Sequence, residues 1–276
     1  MTVQTALRLG SKLLEEGSVP SPRLTAEVLL CQVLACERSY LYSHPEQELG
    51  EQFSNEYELY LHRRLRGEPT QYIIGRQEFY GREFLVNRNV LIPRPETEHV
   101  VESAISYYSG SGRILDVGCG SGAIAVTLSL ELNTEVWATD ISQAALETAK
   151  ENARRLGVRV HFVECDLTEA FCDHSFTMVV SNPPYVSLDD KPRLQPEVRD
   201  YEPPVALYAG KSGLEVYRRL LADASRVLRP AGVLVLELGF GWTESVKAML
   251  DTRWNDIRVI ADLAGLPRVL VAVLKP

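Results

Sequence analysis

The stretch RILDVGCGSGAIAVTLSLELNTEVWATD, Arg113 to Asp140, decides the fold. A short apolar run breaks at three glycines spaced two apart, Gly118, Gly120 and Gly122; an apolar stretch of helical composition starts at Ala123, and a second apolar run ends at Asp140. Strand, glycine turn, helix, strand is the order of a parallel crossover unit, which needs a helix to carry the chain back. The pattern continues downstream: a helix through Ala144 to Leu156, RVHFVEC, FTMVVSNPPY, a helix from Leu214 to Val227, AGVLVLEL, and IRVIADLAGLPRVLVAVL. Short apolar strands alternating with amphipathic helices predict an α/β fold with a mostly parallel sheet covered on both faces.

Upstream the periodicity changes. To about Gly67 the apolar residues recur at helical spacing, as Val3, Ala6, Leu7, Leu13, Leu14, then Ala26, Leu29, Leu30, Val33, Leu34, then Phe53, Tyr57, Tyr60, Leu61, Leu65. Breaks at GSVPSPR and SHPEQELG carry the Ser, Pro and Gly that stop one helix and open the next. Between Glu68 and Pro95 aromatic and β-branched residues alternate around Gly75 and Gly81, as a hairpin does. The expected organisation is therefore a helical domain over residues 1–67, a β-hairpin connector over 68–95 and a catalytic domain over 96–276.

Composition excludes some functions. With 276 residues, 45% of them hydrophobic, the chain can bury a full core. A net charge of −8 is unsuited to neutralising phosphates along an extended nucleic-acid footprint, so no stable nucleic-acid partner is expected, although a local basic patch stays open. The five cysteines show no CxxC spacing and no paired histidine, so neither a metal site nor a disulfide framework is indicated. The N-terminal residues lack the apolar core and cleavage site of a leader, and no apolar run reaches membrane-spanning length. A cytoplasmic protein with reduced thiols is the expectation.

In a parallel α/β sheet, ligands bind at the carboxyl ends of the strands. The first strand ends in the GxGxG turn, where glycine lets the backbone approach a ligand closely. This spacing differs from the GxGxxG that holds a dinucleotide pyrophosphate, and no GK[ST] follows. The second strand ends at Asp140, about 20 residues on, placed to accept hydrogen bonds from ribose hydroxyls or, with Ser142, to cap the next helix. The third ends in ECDL, where Asp166 can bind an adenine amino group, or stand as a solvated loop acid, and Leu167 can pack on the ring. The three strand ends together describe a pocket for an adenosine-containing ligand without phosphates.

The fourth strand ends in SNPPYV, Ser181 to Val186. Asn182 and Pro183 each precede a proline and are pushed to extended geometry, and Pro183 and Pro184 have locked φ and no N–H. The turn is rigid, and its prolines offer acceptors alone. Asn182 adds a side-chain carbonyl that can share an NH2 group with the Pro183 carbonyl, and Tyr185 supplies a flat ring. Such a set suits a planar, conjugated amino group: two accepted hydrogen bonds localise its lone pair on nitrogen and turn it toward an electrophile such as a sulfonium methyl donor.

DVGCGSG, Asp140 and NPPY together resemble class I S-adenosylmethionine-dependent methyltransferases acting on planar nitrogens, with a Rossmann-like sheet. QYIIGRQEFYGREFLVNRNVLIPRPETE (Gln71 to Glu98), NPPYV and YEPPVALYAGKSGLEVYR (Tyr201 to Arg218) resemble more narrowly the HemK/PrmC family. The resemblance runs over nearly the whole chain. It implies methylation, from S-adenosyl-L-methionine, of the side-chain amide nitrogen of the glutamine in the Gly-Gly-Gln loop of class 1 translation release factors. By the same resemblance Gly118, Cys119, Gly120, Ser121 and Gly122 line the cofactor, Asp140 holds its ribose and Asp166 and Leu167 border its adenine. Asn182, Pro183, Pro184 and Tyr185 clamp the glutamine amide, and the helical domain helps grip the release factor. Arg94 and Glu98 of PRPETE order the loop that closes the site, or form a surface ion pair. One departure stands out: Trp242 occupies a position where the family pattern leads us to expect glutamine. Three other readings stay open, namely glutamine methylation of a large-subunit ribosomal protein, adenine N-methylation of DNA, and a non-catalytic cofactor-binding protein.

Overall fold

The structure, a computed structural model, describes residues 1–276. The chain forms two compact units, Met1–Gly75 with Gln195–Tyr201, and Arg76–Leu194 with Glu202–Pro276. No helix in either is long and apolar enough to cross a membrane.

The first unit packs α1 (Val3–Glu16), α2 (Pro22–Leu34), α3 (Arg38–Ser43), α4 (Glu51–Leu65) and α5 (Thr70–Ile74), together with the short helix Pro196–Tyr201, α9 in chain order. The Thr2 hydroxyl accepts from the Thr5 amide and opens α1, the role of an N-cap side chain. Val3, Leu14, Leu29, Leu30, Tyr57 and Leu61 form its core. One buried acid, Glu27, is held there by Arg23, Arg38 and the Tyr42 hydroxyl, the pairing that a desolvated carboxylate needs. Residues Thr70–Ile74, where the sequence pattern suggested the start of a hairpin, are helical: the Tyr72 and Ile73 amides bond back to the Pro69 carbonyl, and both side chains are buried. Burial of two large side chains outweighs the β propensity of the Ile pair.

The second unit opens with the hairpin β1 (Arg76–Phe79) and β2 (Arg82–Leu85), and a 3-10 turn, Pro95–Thr97, leads into α6 (Glu98–Tyr107). Then follow β3 (Ile114–Val117), α7 (Ala123–Leu132), β4 (Val136–Asp140), α8 (Gln143–Arg155), β5 (Val160–Glu164) and β6 (Phe176–Ser181). The chain continues through β7 (Val186–Ser187), α10 (Pro204–Leu207), β8 (Tyr208–Gly210), α11 (Glu215–Val227), β9 (Leu228–Glu237), α12 (Thr243–Lys247), β10 (Trp254–Ala261) and β11 (Pro267–Leu274). The main sheet runs β10-β11-β9-β6-β3-β4-β5, parallel from β9 to β5 and antiparallel at β11 and β10. Successive residues of each strand serve opposite faces. Ile114, Val136, Met178 and Val235 join the core under α6 and α7, whereas Leu115, Val117, Val179 and Leu234 join that under α11. Helices therefore cover both faces, as the apolar runs predict.

The junction of β3 and α7 carries a buried acid. Asp116 is fully buried; its Oδ2 accepts from the Ala125 amide at 3.0 Å, and Oδ1 has no hydrogen-bond partner. Burial pushes its carboxyl up to about 8. The folded chain then keeps a proton that the unfolded chain, titrating near ~4, has released, so this group removes stability as pH rises from ~4 to 8. Asp116→Asn presents Ala125 with the same acceptor and no charge. Thermal melts across that range should show the variant gaining on the parent chain as pH rises; an identical pH dependence in both would refute the assignment.

Candidate active site

The carboxyl ends of β3, β4, β5 and β6 border one cavity of about 230 Å³. Gly118 and Gly120 form the β3 side of it, with φ of 74° and 54°, values that favour glycine. The Gly118 and Cys119 amides donate to the Thr139 carbonyl at 2.9 and 2.8 Å, which folds the turn onto β4. A Cβ on Gly118 or Gly120 would meet no protein atom within 4 Å, so packing does not require glycine there and the space in front of the turn is open to a ligand. The other members of the run stand outside the cavity wall. Cys119 and Ser121 are buried, Ser121 accepting on its carbonyl from Asn152, and Gly122 faces Ala149 of α8, where a Cβ would come within 3.1 Å. Burial holds the Cys119 thiol well above its usual range, so it stays protonated.

Asp140 is on the wall. Its Oδ2 accepts from the Gly120 amide and its Oδ1 from the Ser142 amide, each at 2.9 Å, which ties the ends of β3 and β4 together. The Ser142 hydroxyl accepts from Ala145 and caps α8, so the capping role falls to the serine and not to Asp140. The carboxylate keeps acceptor capacity beyond these two bonds. Burial raises the Asp140 carboxyl, and the amides of Ser142, Gly120 and Ile141 draw it back down. Asp166 also lines the cavity, partly exposed, and Arg219 of α11 pairs with it at 2.6 Å and lines the same wall. Leu167 adopts φ of 47°, a left-handed conformation that costs energy in a branched side chain. The Thr139 hydroxyl donates to its carbonyl at 2.9 Å and holds it there.

At the end of β6 the Ser181 hydroxyl donates to the Val117 carbonyl at 2.6 Å. Asn182 and Pro184 line the cavity, and Pro183 is buried. Tyr185 is not on the wall. Its ring lies against Gly239, where a Cβ would stand 2.6 Å from Tyr185 Cδ2 and 2.7 Å from Trp242 Cδ1; only glycine permits this approach. Burial, with Glu237 adding, pushes the Tyr185 phenol up to about 12, which leaves it neutral. Trp242 donates its indole N–H to the Tyr185 carbonyl at 3.2 Å and so braces the turn. The Asn182 NH2 group donates to Thr97 Oγ1 at 3.1 Å, which leaves the Oδ1 acceptor unspent.

Arg94 does not line the cavity and does not pair with Glu98. It binds Glu202, which is 3% exposed and also accepts from the Ile92 amide, while Glu98 accepts from the Tyr80 amide at 2.8 Å. The more deeply buried carboxylate has the greater need of the guanidinium. Thr97, Glu202, Glu237 and Arg219 escaped sequence reasoning. PRPETE flagged the segment containing Thr97 and YEPPVALYAG the one containing Glu202, but no local spacing points to the partners these residues take.

A family model described as the PrmC N-terminal domain matches residues 5–75, and one described as a methyltransferase small domain matches residues 100–194. A methyltransferase from Pyrococcus furiosus superposes with a TM-score of 0.55 at 18% identity, covering 72% of this chain and 91% of that one. A 16S rRNA methyltransferase from T. thermophilus in complex with AdoMet and guanosine superposes with a TM-score of 0.53 at 18% identity, covering 73% and 50%. Identities this low speak for the fold alone. Sequence relatives carry further. A protein of Koribacter versatilis named release factor glutamine methyltransferase is 43% identical over 275 residues, 98% of each chain. One of that name from Nitratidesulfovibrio vulgaris is 42% identical, covering 98% of this chain and 95% of its own, and one from Bacillus subtilis is 38% identical, covering 99% and 98%. Similar from end to end to proteins of one name, and carrying their N-terminal and methyltransferase domains, the chain belongs to the release factor glutamine methyltransferase family.

Proposed function

We propose that the chain methylates the side-chain amide nitrogen of the glutamine in the Gly-Gly-Gln loop of class 1 translation release factors, with S-adenosyl-L-methionine as methyl donor. One observation carries the reading: in a chain of this family, the acceptor turn at Asn182 and Pro184 and the wall of Gly118, Gly120 and Asp140 border a single cavity. The residues suit the cofactor. Open space before two left-handed glycines admits a ligand against the backbone, and no lysine or arginine joins them in that turn, as suits an adenosine group without phosphates. Gly118 and Gly120 allow close approach, Asp140 accepts from ribose hydroxyls with its remaining lone pairs, and Asp166 and Leu167 border the adenine. When bound, the cofactor supplies an electrophilic sulfonium methyl.

The chain's own residues prepare the nucleophile. Asn182 Oδ1 and the Pro183 carbonyl accept the two N–H bonds of the substrate amide, which restores lone-pair character to a nitrogen otherwise conjugated with its carbonyl. Preorganisation is high because the prolines lock the turn and the Ser181 hydroxyl anchors it to β3. No strong base is required, because the methylated nitrogen carries a positive charge and gives up its extra proton to solvent after transfer; the neutral Tyr185 phenol offers none. The helical first unit serves as the docking part for the release factor and the sheet-bearing unit as the catalytic part, in the cytoplasm, with no stable nucleic-acid partner.

Transfer from radiolabelled S-adenosylmethionine to purified release factor, its Gln→Ala loop variant, ribosomal subunits and unmethylated DNA tests the substrate. Label on the release factor alone, lost in the loop variant, is the expected result; label on ribosomal protein or DNA overturns the substrate, and no label anywhere overturns the enzyme. In the same assay Asn182→Ala should lower turnover by roughly 100-fold or more with cofactor affinity largely kept. Asp140→Ala should chiefly weaken cofactor binding. Normal turnover in the first variant, or a loss confined to turnover in the second, would break the respective assignment.

A further inference from the structure

We propose that Thr97 and Glu237 are positioning residues that decide which end of the Asn182 amide is presented to the substrate nitrogen, and that the ionised form of Glu237 is the one that supports turnover. The inference rests on the functional reading above and deepens it.

Three distant parts of the chain meet here. Glu237 is the last residue of β9 and 3% exposed, Thr97 ends the 3-10 turn before α6 and is 4% exposed, and Asn182 follows β6. The Thr97 hydroxyl donates to Glu237 Oε2 at 2.6 Å, and the Asn182 NH2 group donates to Thr97 Oγ1 at 3.1 Å. The polarity of this chain follows from counting protons. A carboxylate can only accept, so it takes the single hydroxyl proton of Thr97. Thr97 is then left with lone pairs toward Asn182, and only the NH2 end of the amide can meet them. Oδ1 is thereby kept for the substrate. A side-chain amide has little intrinsic preference between its two nearly isosteric orientations, so the bias has to come from such a neighbour.

Protonation of Glu237 removes the bias. A carboxylic acid can donate to Thr97, which frees the hydroxyl proton to turn toward Asn182 and bond Oδ1. The flipped amide would offer N–H groups to a substrate nitrogen that needs acceptors. The groups facing Glu237 are Glu96, Arg268, Arg94 and Tyr185, and the Tyr217 hydroxyl donates to its backbone carbonyl at 2.8 Å. Burial pushes the Glu237 carboxyl up to about 7, with Glu96 adding, against the Thr97 hydrogen bond and the two guanidiniums. Both tyrosines stay neutral, their phenols raised by burial.

The test measures kcat and KM for the release factor, and the dissociation constant of S-adenosylmethionine, across roughly pH 5.5 to 9. The proteins are the parent chain, Thr97→Val, Thr97→Ser and Glu237→Gln. For the parent chain kcat should fall about tenfold per unit below a pH of about 7. Glu237→Gln, which cannot ionise, should lose that acidic limb and run at a lower, level rate. Thr97→Val should lower kcat about 10-fold or more, with KM and cofactor affinity within about twofold. Thr97→Ser, which restores the hydroxyl, should return to within about threefold of the parent. A parent-like kcat in Thr97→Val, an acidic limb surviving in Glu237→Gln, or losses shared equally by KM and cofactor affinity would overturn the proposal. Should Thr97→Val fail to fold, the limb in Glu237→Gln decides alone. An inactive parent chain would overturn the functional reading and the relay with it, an outcome distinct from an active parent with indifferent variants.

Discussion

The parallel pairing of β3 with β4 on one side and β6 on the other is the constraint on which the rest of the site depends. Val117 is registered with Thr139, and Asp116 with both Ala138 and Val180. That register brings the chain out of three strands at one level, with the glycine turn, Asp140 and Asn182 side by side. A slip of one residue would send every side chain of a strand to the opposite face, and two buried cores oppose it. The hydrogen bonds from Gly118 and Cys119 to Thr139, from Gly120 to Asp140 and from Ser181 to Val117 then join the strand ends crosswise. Chemistry that needs tight placement thus rests on sheet and strand-end hydrogen bonds.

Several buried polar groups lie in or beside those strands. Asp116, Ser181, Thr139 and Glu237 lie in the interior of the sheet-bearing unit, and each carries at least one hydrogen bond to a neighbouring element. An unsatisfied buried polar group costs about 1–3 kcal/mol, so these contacts specify their partners more sharply than apolar packing would. In the proposed account one of them, Glu237, sets the polarity of the acceptor turn through Thr97.

Much of this was legible in the sequence because it is dictated locally. The GxGxG turn, the acid about 20 residues beyond it and the proline pair after Asn182 each reflect a backbone demand that neighbouring residues alone impose. The alternation of apolar strands and helices from Gly112 onward likewise predicts a mostly parallel sheet covered on both faces; in the structure only its last two strands run antiparallel. What escaped depends on partners far away in the chain. Thr97 and Glu237 are 140 residues apart, Arg94 and Glu202 108, and Asp166 and Arg219 53. No spacing rule links such pairs, because the fold and not the local chain brings them together. Helix α5 escaped for a related reason: its β-prone Ile pair is helical because Tyr72 and Ile73 find burial there. The contact between the Trp242 indole and the Tyr185 carbonyl likewise joins residues 57 apart, which no local spacing foretells.

The central claim is that an acceptor-only turn at Asn182 and Pro183 holds the substrate amide by its two N–H bonds. A crystal structure with S-adenosylhomocysteine and a release factor bound tests it most directly. The account predicts the glutamine Nε2 at about 2.8–3.2 Å from both Asn182 Oδ1 and the Pro183 carbonyl oxygen, with the Asn182 NH2 group still on Thr97. A glutamine nitrogen beyond about 3.5 Å from both oxygens, or an Asn182 amide turned with its NH2 group to the substrate, would contradict it.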